Sequence, residues 1–410
     1  MPARLSVLFL QGPPTAFWPE LATAFEAAGH RVSKVHFCLG DRMFWPRRGA
    51  RDYRGALEAF ERWLDALCTE QEVTDILYYA DRHPYHIIAA RIAERRGLRA
   101  WAVENGYLRP DWLTLEPFAM GRNSRFPSAP DEILRLAEGG VTPDWTPRYR
   151  HGFLREAASD MAFNLARIAG WPLYPRYRSD VYYPALLDYL CWVPSSLRKW
   201  RRRRACEAVE ARCAEGLDFT LLAMQLQSDY QIRASSDYGH LSEMLEEVIA
   251  SLASHAPDGR HLVVKSHPLD SGWENWPHVL AEIARSYGVA DRVHWLDGGD
   301  LAALIDRAAG VLTVNSTVGL HALRQHRPVL CLGSAVYDIP GLTHQTGLDS
   351  FWTQPSGVDV DLLEALLIAL ERRIQVRGSF YDPDGRKAAQ TAIVNRLEQP
   401  EVYWTGEFDR

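Results

Sequence analysis

The stretch Leu262-Val263-Val264-Lys265-Ser266-His267-Pro268-Leu269-Asp270 constrains the fold more than any other. Its first half is an apolar, β-branched run with the composition of a buried strand. It breaks into a polar elbow in which Pro268 fixes the local backbone. A buried strand that stops this way delivers Lys265 and His267 to one edge of a sheet, where α/β proteins bind ligands. Further on, Val311-Leu312-Thr313-Val314 reads as a second strand, ending in Asn315-Ser316-Thr317 before a helix. Those hydroxyls and the free N–H groups of the helix make an anion site that needs no metal. Taken singly, the first elbow reads as a loop and the second as an ordinary helix cap. In successive β/α units, one cationic and one hydroxyl-rich, they predict a pocket for a nucleotide phosphate.

The preceding half has the same rhythm. Leu5–Leu10, Arg31–Phe37, Asp75–Tyr79 and Ala100–Val103 read as strands; Phe17–Ala28, Tyr53–Leu67 and Ile87–Arg96 read as helices between them. Such alternation predicts βαβ units and a mostly parallel sheet. One strand ends at Asp81-Arg82-His83-Pro84-Tyr85-His86, the next at Glu104-Asn105-Gly106-Tyr107-Leu108-Arg109-Pro110. A carboxylate at a strand's C-terminal end is a candidate acid–base group, so Glu104 is singled out, with Arg109 beside it. The plainer reading pairs Glu104 with Arg109 or leaves it solvated. Asp81, His83 and His86 are expected nearby.

A second α/β series begins near Gly216. Phe219–Met224 ends in Gln225-Leu226-Gln227-Ser228-Asp229-Tyr230-Gln231, which puts Asp229 at the first strand end of this half. Two Rossmann-like halves with a central cleft and no metal motif describe a GT-B-like glycosyltransferase. The expected divisions are an N-terminal, acceptor-side domain over 1–215 and a donor-binding domain over 216–372. A C-terminal helical segment over 373–410 is expected to return to the first domain. No Asp-x-Asp stands where a metal-dependent transferase needs one, so no cofactor or metal is expected. A cationic strand end and a helix N-terminus would stabilise the leaving phosphate instead.

Between about 111 and 212 the rhythm breaks into a helical insert. Trp171, Tyr174, Tyr177, Tyr182, Tyr183, Tyr189, Trp192 and Trp200 interleave there with Arg176, Arg178, Arg198, Lys199 and Arg201–Arg204. Aromatics mixed with cations suit the headgroup zone of an anionic bilayer. The plainer reading pairs these arginines with Glu207, Glu210 and Glu215. The formal net charge of -6 argues against a nucleic-acid binder. The 6 cysteines contain no Cys-x-x-Cys pair, so neither a zinc site nor a disulfide framework is expected. Met1-Pro2-Ala3-Arg4 leads into an apolar run too short for a signal peptide or a membrane span.

With these motifs in hand, the chain resembles the bacterial capsule β-Kdo transferases, in particular the KpsS-like group related to KpsC. Leu10-Gln11-Gly12-Pro13, Gly40-Asp41-Arg42, the Asp81–His86 and Glu104–Pro110 elbows, Gln225–Gln231, Lys265–Asp270 and Val314–Leu320 carry the resemblance. Tyr337–Thr343 and Gly378–Tyr381 complete it. The resemblance implies transfer of Kdo from CMP-β-Kdo with retention to a lysophosphatidylglycerol-type lipid, starting a capsule's poly-Kdo linker. It implies a cytoplasmic protein, peripheral on the inner face of the membrane, with other capsule-assembly proteins as candidate partners. Lys265, His267, Pro268, Asn315, Ser316 and Thr317 become CMP-binding candidates. Asp229 matches the nucleophile's motif and Glu104 lies in the base's motif. Asp81, His83, His86, Arg109 and Gln225 become acceptor- or sugar-binding candidates. One departure stands out: family members often carry a second acid where this chain has Asn105, which takes up no proton at physiological pH. A transferase for another CMP-activated acidic sugar or acceptor is the alternative. A non-catalytic capsule-assembly protein is the alternative of another class, supported only by Asn105.

Overall fold

The computed structural model describes residues 4–149 and 152–404, apart from the side chains of Phe153 and Val193. The lead-in Met1–Ala3 lies outside the described residues. The chain divides into two units. Each is built on its own doubly wound sheet, mostly parallel in the first unit and wholly parallel in the second, the mixed α/β, Rossmann-like class expected from the strand–helix alternation.

The first unit takes in 4–126, 143–180 and 368–404 of the described residues. Its N-terminal part supplies β1 (Ser6–Phe9), β2 (Arg31–His36), β3 (Arg51–Asp52), β4 (Asp75–Tyr79), β5 (Arg99–Asn105) and β6 (Trp112–Pro117). Strand side chains alternate between faces. In β1, Val7 and Phe9 therefore join Phe17, Leu21, Trp101 and Ile393 on one side. Leu8 joins Phe60, Leu64, Ile76 and Ile92 on the other. A sheet covered on both faces must be apolar on both, and β1 is buried throughout.

The second unit takes in 127–142 and 181–367. It supplies β7 (Phe219–Ala223), β8 (His261–Lys265), β9 (Val293–Leu296), β10 (Gly310–Thr313) and β11 (Val329–Cys331), all parallel, in the order β11-β10-β7-β8-β9. A last strand, β12 (Gln375–Arg377), returns to the first sheet, whose order is β12-β6-β5-β4-β1-β2-β3.

Three sequence expectations need correcting. The segment after β5 is not irregular at its start: β6 turns back antiparallel on β5, with Glu104 opposite Thr114. Glu104, expected at a strand's C-terminal end, is the penultimate residue of β5 and pairs across to β6. The C-terminal segment contributes β12, antiparallel to β6, as well as helices; three residues are too few to announce a strand by periodicity. The third concerns the domain boundary, placed at 215 and found between 180 and 181. The helix Ala185–Ala214 belongs to the second unit because its inner face is tied to that unit's strand-end loops. Arg202 bridges Asp297 at 2.7 Å, Arg198 Nη2 donates to the Gly272 carbonyl at 2.9 Å, and Lys199 Nζ donates to that of Asp270 at 3.1 Å.

Candidate functional site

Both sheets share one topology: the first strand of each unit lies between its second and its fourth. The strand order reverses there, and α/β proteins bind ligands at that switch point, beyond the C-terminal strand ends. In the second unit the switch point lies between β7 and β10. Gln225 follows β7 and Asn315 follows β10. Gln225 Nε2 donates to Asn315 Oδ1 at 2.7 Å, and the Asn315 amide donates to Gln225 Oε1 at 3.0 Å. Asn315 Nδ2 then donates to the Gln231 carbonyl at 3.2 Å. Every polar atom of this clamp is directional, so it sets where β10 ends and the next helix starts.

That helix is Thr317–Arg324, and Ser316 caps it, its hydroxyl accepting from the Val318 amide at 3.2 Å. The Tyr337 hydroxyl donates to the Ser316 carbonyl. Tyr337 fits only because residue 319 is glycine: a Cβ there would lie 2.3 Å from the Tyr337 oxygen. The positive end of this helix and the Ser316–Thr317 pair therefore stand at the switch point, as an anion site requires.

Next to β7 on the other side, β8 ends in the Lys265–Asp270 elbow. Lys265 is buried and its pKa is lowered, chiefly by desolvation, with the Glu210 and Asp297 carboxylates pulling the other way. The His267 ring accepts through Nδ1 from the Leu269 amide at 3.1 Å, which leaves Nε2 as the ring's donor. Pro268 is exposed. Asp229 caps the short helix Tyr230–Ser235, with Oδ1 accepting from the Gln231 amide at 2.9 Å.

A cavity of about 550 Å³ opens beside this elbow, floored by Ser266, Pro268, Asp297 and Gly298 and walled by Lys199, Trp200, Arg203, Cys206, Glu207 and Glu210. Its volume lies within the usual range of small-molecule sites, about 300–1,000 Å³. Sequence reasoning missed Asp297 and the whole helical wall. The signal was present: Leu296-Asp297-Gly298-Gly299 is one more apolar strand ending in a polar, glycine-rich elbow. Helix Ala185–Ala214 gave no comparable sign, since its spacing does not say which sheet it joins.

In the first unit the switch point lies between β1 and β4. Gln11 follows β1 and accepts from the Tyr177 hydroxyl at 2.9 Å; His83 Nε2 meets that hydroxyl at 3.1 Å. Tyr177 spends its proton on Gln11, so His83 Nε2 must carry one, leaving Nδ1 as an acceptor. His86 Nδ1 faces the Ala80 carbonyl at 2.8 Å and must donate, leaving its Nε2 as an acceptor. Among the described residues, neither acceptor nitrogen has a partner. Burial lowers both imidazole pKa values to about 3, so both rings stay neutral. Asp81 accepts from Arg82 Nε at 3.0 Å and from the Met120 amide at 3.1 Å, and burial raises its pKa. Of the five acceptor- or sugar-binding candidates, Asp81, His83 and His86 are thus buried, at 1–2% exposure. They follow the C-terminal end of β4 and lie beneath its surface.

Glu104 is half-buried on β5. It adjoins Tyr79, whose pKa is raised mostly by burial and further by Glu104, while Arg109 opposes the shift. Arg109 Nε donates to the Gly106 carbonyl at 3.2 Å. Gly106 is required by close approach: a Cβ would lie 2.5 Å from Gln375 Oε1, which accepts from the Tyr107 amide at 2.8 Å. The C-terminal strand β12 thereby shapes the Glu104–Pro110 loop, a link invisible in sequence. Two further motifs have a structural explanation. Buried Lys34 donates to the Leu10 carbonyl and to Asp41 Oδ1, both at 2.7 Å, and Asp41 Oδ2 accepts from the Phe37 amide at 3.1 Å. Gly40-Asp41-Arg42 is thereby pinned to the Leu10–Pro13 turn.

Among the described residues, no group of three or more His, Cys, Asp or Glu could hold a metal. Nor is any helix long and apolar enough to cross a membrane.

Comparison with known proteins places this arrangement. The chain is 30% identical over 379 residues to the Escherichia coli capsule polysaccharide export protein KpsS, covering 91% of this chain and 96% of that protein. It is 30% identical over 384 residues to the capsule polysaccharide modification protein LipB of Neisseria meningitidis serogroup A, covering 92% and 91%. Among solved structures, the β-Kdo 2,7 transferase KpsC of Thermosulfurimonas dismutans aligns with 96% of this chain and 99% of its own, at 17% identity and a TM-score of 0.48. The capsule polysaccharide biosynthesis protein family matches residues 74–381, a span that includes the Asp81, Glu104, Asp229, His267 and Ser316 elbows, and the chain belongs to that family.

Proposed function

We propose that the chain is a retaining glycosyltransferase that moves Kdo from CMP-β-Kdo to a lysophosphatidylglycerol-type lipid and so initiates the poly-Kdo linker of a capsular polysaccharide. One observation carries the reading. The Gln225–Asn315 clamp and the Ser316 cap stand at the switch point of the second unit, with a nucleoside-sized cavity beside the adjacent His267–Pro268 elbow. Ser316, Thr317 and the helix N-terminus would hold the phosphate, and His267 Nε2–H would donate to it. The nucleoside would enter the cavity against Pro268. Membership of a capsule biosynthesis family supports a sugar donor, and the motifs that resemble the β-Kdo transferases favour CMP-Kdo.

The chemistry follows from retention. An Asp229 carboxylate oxygen attacks the anomeric carbon and CMP departs with the bonding pair, inverting the centre once. Glu104 takes the proton of the acceptor hydroxyl, whose oxygen attacks the same carbon. That second inversion releases Asp229 and yields the β product. Asn105 cannot share the proton transfer, so the base role falls to Glu104 alone at this elbow. The protein would work as a peripheral protein on the inner face of the cytoplasmic membrane.

The test is incubation with CMP-Kdo, regenerated in situ, and a short-chain lysophosphatidylglycerol, read by mass spectrometry and anomeric NMR. A β-linked Kdo adduct is expected. Transfer from a different CMP-sugar in competition would revise the donor. Neither CMP binding nor CMP-Kdo hydrolysis would leave the non-catalytic assembly role that Asn105 alone favours.

A further inference from the structure

The helix Ala185–Ala214 is polarised against the usual sense. A surface helix normally turns its apolar stripe inward. Here the inward face holds Ser195, Cys206 and Cys213, all buried, together with Arg202 in its bridge to Asp297. At 3.6 residues per turn, Leu186, Leu190, Leu197 and Trp200 fall together on the opposite face. They are 49%, 68%, 49% and 69% exposed. Arg201 and Arg204 continue the same outer side one turn on, and both are exposed. Arg203 differs, being bridged to Glu207 at 2.7 Å.

Part of the aromatic–basic pattern expected to meet a bilayer is turned elsewhere. Tyr174 is buried and bonded to Asp52, and Tyr177 is committed to Gln11 and His83. Tyr183 donates to Glu274, and Arg198, Lys199 and Arg202 are held by loops of their own unit. Trp171, Arg176, Arg178 and Tyr182 stay exposed ahead of the helix, and on the helix itself the outward face is a leucine stripe with Trp200 at its end and a pair of arginines beyond.

We infer that this outer face is a docking surface for an anionic lipid bilayer, with Leu186, Leu190, Leu197 and Trp200 entering the headgroup–acyl boundary and Arg201 and Arg204 meeting anionic headgroups. Two features select a bilayer over a protein partner. The apolar residues form a single row that one helix lying in the interface buries completely. The row runs into positive charge that no ion pair bridges among the described residues, complementary to anionic lipid, with an indole at the junction, where amphipathic rings sit at the headgroup level. The surface extends the proposed lipid chemistry to a place on the molecule, yet it rests on exposure and charge alone.

Sedimentation with vesicles tests it, comparing phosphatidylglycerol–phosphatidylcholine mixtures with pure phosphatidylcholine. The full chain should bind the anionic vesicles, less well at high salt, and poorly to the neutral ones. Leu190→Glu with Leu197→Glu, and separately Arg201→Glu with Arg204→Glu, should each lower partitioning by about tenfold or more. Both variants alter only exposed side chains, so thermal melting and CMP-Kdo hydrolysis should match the parent. Equal vesicle binding by parent and variants overturns the inference. So does a parent that ignores vesicles but self-associates in a sedimentation-velocity run and becomes monomeric on Leu190→Glu with Leu197→Glu; that face would then bind a second copy. Loss of sugar transfer with vesicle binding intact would count against the proposed reaction and leave the docking face standing.

Discussion

Gln225 and Asn315 hold each other by two hydrogen bonds across the switch point, one between side chains at 2.7 Å and one from the Asn315 backbone at 3.0 Å. They join the ends of β7 and β10. Gln225 is buried, so losing one partner leaves the other's amide unsatisfied, at about 1–3 kcal/mol. Gln225→Ala and Asn315→Ala should each weaken CMP binding by calorimetry, and the double variant should lose less than the sum of the two. Strict additivity would mean the clamp does not set the site.

Asp229 has two separable tasks, and two substitutions distinguish them. Asp229→Asn keeps an oxygen to cap the Gln231 amide and removes the nucleophile. Asp229→Ala removes both, at a further cost of about 0.5–2 kcal/mol in stability. Both should abolish Kdo transfer and leave CMP affinity largely intact, with only Asp229→Ala lowering the Tm. Transfer at full rate by Asp229→Asn would end the double-displacement proposal.

His267 should act on the donor alone. Its Nδ1 is occupied by the Leu269 amide, which aims the ring through Nε2. His267→Ala removes a donor from a phosphate oxygen and should weaken CMP about tenfold or more, since hydrogen bonds to charged groups contribute about 1.5–3 kcal/mol. Titration calorimetry with CMP would show this; unchanged affinity would remove His267 from the site.

Stability should fall well before the carboxylates titrate. His83 and His86 have folded pKa values of about 3, lowered by burial from an ordinary 6.5. Their stabilisation is therefore fully present above about pH 6.5 and is lost as pH falls from there towards 3. Each unmatched proton steepens the decline by roughly 1.4 kcal/mol per pH unit. Urea midpoints between pH 7 and 5 should drop, and His83→Gln with His86→Gln should flatten that slope. A flat parent profile would contradict neutral buried rings.

The Lys34–Asp41 pair is 2% and 4% exposed and should behave as a buried ion pair does. Asp41→Ala leaves an unpaired cation and frees the Phe37 amide, which predicts a loss of about 3–5 kcal/mol. Asp41→Asn, which keeps an acceptor for that amide, should lose less. Denaturant titration at pH 7 would rank them, and equal losses would show that charge is not what the site needs.

Periodicity and strand-end chemistry were sufficient to read two parallel α/β units and to assign Gln225, Lys265, His267, Asn315 and Ser316 to strand ends. Those properties are local: a buried strand must be apolar, and the residue at which it stops being apolar is its end. Other properties depend on contacts far apart in sequence, and only the fold settles them. Arg202 meeting Asp297 decides which unit owns the helix Ala185–Ala214. Gln375 reaching the Tyr107 amide explains Gly106. Tyr177 giving its proton to Gln11 fixes the tautomer of His83, and no local pattern announces the burial of that ring. The same helix shows the division most plainly. Its spacing does not say which face turns inward, and only the packing of Arg202 on Asp297 and Arg198 on Gly272 leaves the leucines outside.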